Sequence, residues 1–131
     1  MTEKFETIPK IPISWGELID KLTILEIKLA RLSDQAARAN VAKELELLRG
    51  RAGDAVARVP ALVAKLKTLN ESLWDIEDRI RDHERSQDFG PAFVALARSV
   101  YRTNDERGRV KREINLALGS GLIEEKSYRP Y

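Results

Sequence analysis

The residues best suited to chemistry form a polar interruption in the last long helical segment of the chain. The inward-facing apolar stripe of this segment begins at Phe93 and resumes at Ile114. Polar groups in a core-facing stripe are costly unless they are paired or hydrated. The interruption therefore predicts either an internal polar network or a site open to solvent. Its residues and their neighbours are Tyr101, Asn104, Arg107, Gly108, Lys111 and Asn115.

A second polar stripe flanks the longest apolar repeat of the chain. The repeat lies within residues 62–83 and alternates spacings of four and three, which is typical of a helix packed along another helix. An ordinary i,i+4 ion pair between Glu77 and Arg81 beside a core-edge tryptophan would explain the flanking stripe. One wall of a ligand site or a docking patch would explain it equally. The stripe contains Asn70, Trp74, Glu77, Arg81 and Glu84.

Two interpretations of these polar groups remain open. In one, they pair internally with Asn70, Glu77 or a carboxylate of the first helix such as Glu26, or the last helix turns them toward water. In the other, Arg107 and Lys111 bind a small anionic ligand, because cationic side chains form strong hydrogen bonds with anions.

The ligand-binding interpretation also gives roles to the remaining polar and aromatic residues. Asn104 and Asn115 would orient the ligand, and Trp74 or Tyr101 would supply an apolar wall. The rival hypothesis is a docking surface for a protein partner or a second copy of the chain, and a small helical enzyme is a third. The candidate ligand-binding residues are Trp74, Glu77, Arg81, Tyr101, Asn104, Arg107, Lys111 and Asn115.

Other chemistry has weaker support. Asp20 and Glu26 could act as an acid and a base if they were buried, but a surface position is the simpler expectation. The carboxylates of residues 71–82 could hold Mg²⁺, yet their spacing places them on an outer, solvated helix face. His83, the single histidine, falls within the apolar repeat and is expected to be structural. We therefore predict no metal, no cofactor and no identifiable catalytic residue.

Composition narrows the class of protein. The 131 residues are 43% hydrophobic and 34% charged with no cysteine, which favours one ordered, soluble domain without disulfides. No segment resembles a signal peptide or a membrane span, so we expect a cytoplasmic protein with no membrane insertion. The net charge of +2 and the absence of a DNA-reading motif argue against nucleic acid as a partner.

The predicted fold is all-α: an elongated bundle of about four helices in two antiparallel hairpins. The helices are expected at residues 14–32, 35–49, 60–85 and 91–118. Ser14 is the expected N-cap of the first, and Ser33 or Asp34 that of the second. Pro60 and Pro91 suit first turns, and Gly50 and Gly119 follow helix ends. Residues 1–13 form an extended arm that Ile8, Ile11 and Ile13 could anchor, 14–118 the bundle, and 119–131 a tail packed on it. The structure of residues 50–60 stays open.

The chain resembles a family of small bacterial proteins of unknown function. The resemblance is carried by GELIDKLTILEIK, LWDIEDRIR, NDERGRVKREIN and EEKSY, and it extends from about residue 11 to 128 except for 50–60. It implies that these motifs belong to one constellation, and it supplies no catalytic residue. The resemblance also implies an association with genes for glycosyltransferases and cell-surface polysaccharides. The expected anionic ligand is a sugar phosphate or a nucleotide sugar. A fainter likeness to helical chorismate mutases, through ELIDKL, fails at Thr23, where those enzymes carry a carboxylate.

Overall fold

The computed structural model describes residues 6–131, and within them the fold is all-helical, which confirms the predicted class. The five-residue start of the predicted arm lies outside the described part. No helix among the described residues has the length and apolar character needed to cross a membrane. The helices are α1 (Trp15–Arg31), α2 (Gln35–Ala52), α3 (Ala55–Arg58), α4 (Pro60–Ser86) and α5 (Pro91–Leu118).

The helices begin where local sequence signals place their caps. Ser14 Oγ accepts a hydrogen bond from the Glu17 N–H at 3.2 Å, and Asp34 Oδ2 accepts one from the Ala37 N–H at 2.9 Å. These bonds satisfy amide groups that the first turn of a helix leaves without partners. Pro60 and Pro91 occupy the first turns of α4 and α5, as predicted.

The predicted end of α2 is wrong. The helix continues through Gly50 to Ala52, and Gly53 ends it with a φ of 57°. That positive φ suits glycine, which has no Cβ to clash with the backbone. The one-turn helix α3 then fills the segment that sequence left open. At the other end of the chain, Gly119 ends α5 in the expected left-handed conformation, with a φ of 62°.

Helix α1 is buried on two faces and lies at the centre of the fold. Leu18, Leu22 and Leu25 pack with residues of α2 such as Leu45. On the other face, Ile19 packs with residues of α4 and α5 and with the residue before α4; its buried partners are Val59, Leu66, Val110 and Ile114. Burial on two faces explains why isoleucines widen the leucine stripe of α1.

Helices α4 and α5 form an antiparallel pair. Lys65 of α4 pairs with Glu106 of α5 at 3.6 Å, whereas His83, further along α4, lies against Phe93 at the start of α5 with a ring distance of 6.1 Å. The apolar repeat of α4 is unevenly buried. Leu66 and Ile76 are buried, and the other members are half-buried.

The two terminal segments differ in how they contact the bundle. Ile8, Ile11 and Ile13 are 40–76% exposed, so they do not anchor the arm as expected. Beyond Gly119 the chain returns along α5. Glu125 pairs with Arg112 at 3.1 Å, and the Tyr131 ring packs edge-on against Tyr101 with 4.8 Å between ring centroids.

Candidate functional site

Asp20 occupies the centre of a buried polar network. It lies on the inner side of α1 and is 1% exposed. Arg107 of α5 donates from Nε to Asp20 Oδ1 at 2.9 Å and from Nη2 to Oδ2, a two-pronged geometry that suits a guanidinium and a carboxylate. The hydrogen bond with Asp20 raises the pKa of Arg107, and partial burial opposes that shift. Arg107 is thus held as a cation with a fixed orientation.

Asn70 of α4 adds a third hydrogen bond to the Asp20 carboxylate. Asn70 Nδ2 donates to Asp20 Oδ1 at 2.9 Å and to Thr23 Oγ1 at 2.8 Å. Thr23 in turn donates its hydroxyl to the Asp20 carbonyl at 2.7 Å. Among the described residues, no buried side-chain polar atom lacks a hydrogen-bond partner. The three helices are therefore joined by a satisfied network, which is the condition under which buried polar groups are tolerated.

Lys111 is neutralised one helical turn further along α5. It is 8% exposed, and its Nζ donates to Glu17 Oε2 at 2.7 Å and to Glu124 Oε2 at 3.1 Å. Burial alone would lower the pKa of Lys111, but the hydrogen bonds to the two glutamates outweigh it and the pKa is raised. The hydrogen bond from Lys111 lowers the pKa of Glu124 to about 2.

Asn115 ties α5 to the start of α1. Its Oδ1 accepts a hydrogen bond from the Gly16 N–H at 2.6 Å. A Cβ atom at Gly16 would overlap the carbonyl oxygen of Lys111, so only glycine permits this approach. The side chain of Asn115 therefore holds two backbones together.

The stripe on α4 opens onto a groove of about 360 Å³ between α1 and α4. The groove is mainly apolar, with Ile24 and Ile27 on one side and Leu73 and Trp74 on the other. The Arg31 guanidinium lies 5.8 Å from the centre of the Trp74 ring and is held by Asp75 at 2.5 Å. The ion pair with Asp75 therefore holds Arg31 beside the Trp74 ring.

Charged groups surround the apolar part of the groove. Arg81 pairs with Glu77 at 3.2 Å, and Arg107 reaches the groove while bound to Asp20. Lys28 also lines the groove, and it forms no ion pair within residues 6–131. Asp78 contributes a further carboxylate. A ligand in this groove would meet an indole face and three cationic side chains.

The structure separates the eight candidate residues into different places. Trp74, Glu77, Arg81 and Arg107 line the groove, and Asn104 Oδ1 lies 3.4 Å from Arg107 Nη1. The other three residues lie elsewhere: Lys111 and Asn115 at the contact of α5 with the start of α1, and Tyr101 against the C-terminal tail.

Sequence reasoning missed the residue that organises the network. Asp20 was expected on the surface, and Glu26, one of the partners named for the polar run, pairs instead with Arg49 and Lys67. A signal was present in α1. Gly16, Asp20, Thr23 and Ile27 follow spacings of four, three and four, so they form a second inward stripe beside the leucines.

The acidic face of α4, as the structure describes it, is not arranged as a metal-binding site. Within residues 6–131, no group of three or more histidine, cysteine, aspartate or glutamate side chains could hold a metal ion. On this face Asp75 pairs with Arg31, and Asp82 pairs with Arg85. Its charges are therefore partly compensated by arginines.

A comparison with known proteins supports the family resemblance that the sequence motifs carry. No curated protein and no solved structure gives a significant match. A family model described as a family of unknown function (DUF6165) matches residues 9–130. The matched span contains the residues of the network, from Gly16 and Asp20 to Lys111 and Glu124. The chain therefore belongs to this family of unknown function.

Proposed function

We propose that the protein binds a small anionic metabolite in the groove between α1 and α4. The observation that carries the proposal is that Lys28, Arg81 and Arg107 line one groove together with Trp74. Lys28 takes the role that the sequence suggested for Lys111, because Glu17 and Glu124 already neutralise Lys111. Arg81 and Arg107 each have a carboxylate partner, so Lys28 is the one of the three without an ion pair within the described residues. Cationic side chains beside apolar walls are the features expected of a site for a charged small molecule.

Arg107 keeps hydrogen-bonding capacity for such a ligand. Asp20 engages its Nε and Nη2 atoms, whereas Nη1 makes a single long contact with Asn104. A guanidinium has five N–H donors, so donors remain for a ligand oxygen. Asp20 would thus orient Arg107 before the ligand arrives, which reduces the entropy lost on binding.

The ligand class that we propose is a sugar phosphate or a nucleotide sugar. The phosphate would meet the cationic side chains, and a sugar or base ring would pack on Trp74. A volume of about 360 Å³ is within the range of small-molecule sites.

A thermal-shift screen tests the proposal. Sugar phosphates and nucleotide sugars are added to the wild type, to Lys28→Ala and to Lys43→Ala, an exposed lysine of α2 that lies outside the groove. We expect at least one ligand to raise the Tm of the wild type and of Lys43→Ala, and to raise that of Lys28→Ala much less. If no ligand raises the wild-type Tm, or if Lys28→Ala responds fully, the proposal is wrong.

A specific observation also supports an interaction function with a second copy as partner. Exposed Arg98, Arg102 and Arg109 of α5 have the same spacing as Glu71, Asp75 and Asp82 of α4. The two helices are antiparallel within one chain, so the rows could align in parallel between two copies but not within one. Asp78 facing Asp105 would oppose this register, and Asp75 and Asp82 would exchange their pairs with Arg31 and Arg85. Light scattering at several protein and salt concentrations tests it. A monomer at all concentrations in low salt would exclude the dimer.

A further inference from the structure

The C-terminal tail encloses a second cavity against the outer side of α5. The cavity has a volume of about 300 Å³ and shares no lining residue with the groove between α1 and α4. Gly108 forms part of its wall, and a Cβ atom there would lie 3.3 Å from Lys126 Cε. Because Gly108 has no side chain, the tail can approach α5 closely at this position.

The charges that line this cavity are unbalanced. It has five cationic side chains and three carboxylates. Three of the cations are paired: Lys111 and Lys126 with Glu124 at 3.1 and 3.2 Å, and Arg112 with Glu125 at 3.1 Å.

The excess positive charge belongs to two arginines. Arg109 and Arg129 both line the cavity, and neither forms an ion pair within the described residues. Asp105 also lines it, one helical turn before Arg109, and likewise forms no ion pair there. Two guanidinium groups from different segments thus face one cavity, with a single uncompensated carboxylate beside them.

We propose that this cavity is a second anion site, which binds a phosphate group between Arg109 of α5 and Arg129 of the tail. The planar guanidinium donates two parallel hydrogen bonds to phosphate oxygens, and two such groups can hold one phosphate from both sides. Tyr128 also lines the cavity, and its phenol is a further hydrogen-bond donor for a phosphate oxygen. The site is independent of the groove and of the ligand proposed there.

The bound anion would also connect the tail to α5. The tail is already held by Glu124 and Glu125, which pair with Lys111 and Arg112. A phosphate between Arg109 and Arg129 would add a third connection, nearer the end of the chain. Because both arginines are exposed, the affinity should fall as the salt concentration rises.

Titration of the full chain with sodium pyrophosphate at low ionic strength tests the site. Amide chemical shifts are followed by ¹⁵N–¹H NMR, with Gly108 reporting on the cavity and Gly50 of α2 as the reference. We expect a saturable shift at Gly108 and none at Gly50. Arg109→Gln should weaken binding about tenfold, the effect of losing one charge-assisted hydrogen-bonding partner.

Two variants make the test specific. Arg79→Gln removes an exposed arginine of α4 that lines neither cavity, and it should leave the affinity unchanged. Asp105→Asn removes the uncompensated carboxylate and should tighten binding. The proposal is overturned if Gly108 does not shift, if Arg79→Gln weakens binding as much as Arg109→Gln, or if Asp105→Asn does not tighten it.

Discussion

Asp20 and Arg107 are 87 residues apart in the chain and meet through two hydrogen bonds inside the bundle. The carboxylate is almost fully buried, whereas 25% of the Arg107 side chain remains exposed toward the groove. Asp20 is thus a core residue, and Arg107 lies at the edge of the core. This relationship joins the stability of the fold to the candidate site, because the residue that holds Arg107 also links α1 to α4.

Asp20→Asn should destabilise the protein. The amide keeps the shape of the carboxylate but leaves Arg107 without a counter-ion. Removal of one partner of a buried pair costs about 3–5 kcal/mol, and we expect about 3 kcal/mol because Arg107 is partly exposed. Urea unfolding followed by circular dichroism measures the loss. Asp75→Asn, which breaks an exposed ion pair with Arg31, should cost at most about 1 kcal/mol; equal losses for the two variants would contradict this assignment.

Gly16→Ala should destabilise the contact of α1 with α5, although alanine favours helix. The added methyl group would overlap the Lys111 carbonyl oxygen, and such overpacking costs about 1–3 kcal/mol. Gly50→Ala is the matched control, since it lies within α2 with no atom within 4 Å of the added Cβ. It should stabilise the protein by up to about 1 kcal/mol. Thermal unfolding should therefore move in opposite directions for the two glycines.

Acidification should release the tail through Glu124. The pKa of this carboxyl is lowered from 4.5 to about 2, mainly by the hydrogen bond from Lys111. A lowered pKa contributes stability that is fully present above the ordinary value and is lost as the pH falls toward 2. Wild type should thus lose more stability than Glu124→Gln in this window. Glu113→Gln changes an exposed glutamate of α5 that forms no ion pair within the described residues, and it should retain the wild-type pH dependence. If Glu124→Gln also retains it, the ion pair with Lys111 contributes nothing.

Leu66→Ala should cost more than Leu62→Ala, although the two leucines are one turn apart in the same repeat. Leu66 is fully buried against Ile19, whereas Leu62 is half-buried. Truncation of a buried leucine costs about 2–5 kcal/mol, and a partly exposed one leaves a smaller cavity and costs less. Chemical denaturation of the two variants gives both values. Equal costs would show that the repeat is buried evenly.

Local signals in the sequence determined the helical class, most of the helix ends and the existence of a polar interruption in α5. Caps and turns depend on residues a few positions apart, so Ser14, Pro60 and Gly119 could be read directly. The structure selects Asp34 over Ser33 as the cap of α2. The end of α2 was missed because two glycines lie three residues apart, and only the second, Gly53, adopts a positive φ.

Only the tertiary structure decided which charges meet. Periodicity predicts the face on which a side chain lies, but the rotation and axial offset between helices come from packing, here of Ile19 with Leu66 and Ile114. That packing directs Asp20 toward Arg107 and leaves Lys28 facing the groove. The alternative carboxylates in the sequence, such as Glu26 and Glu77, carry the same charge as Asp20. Their selection therefore required the positions of three helices at once.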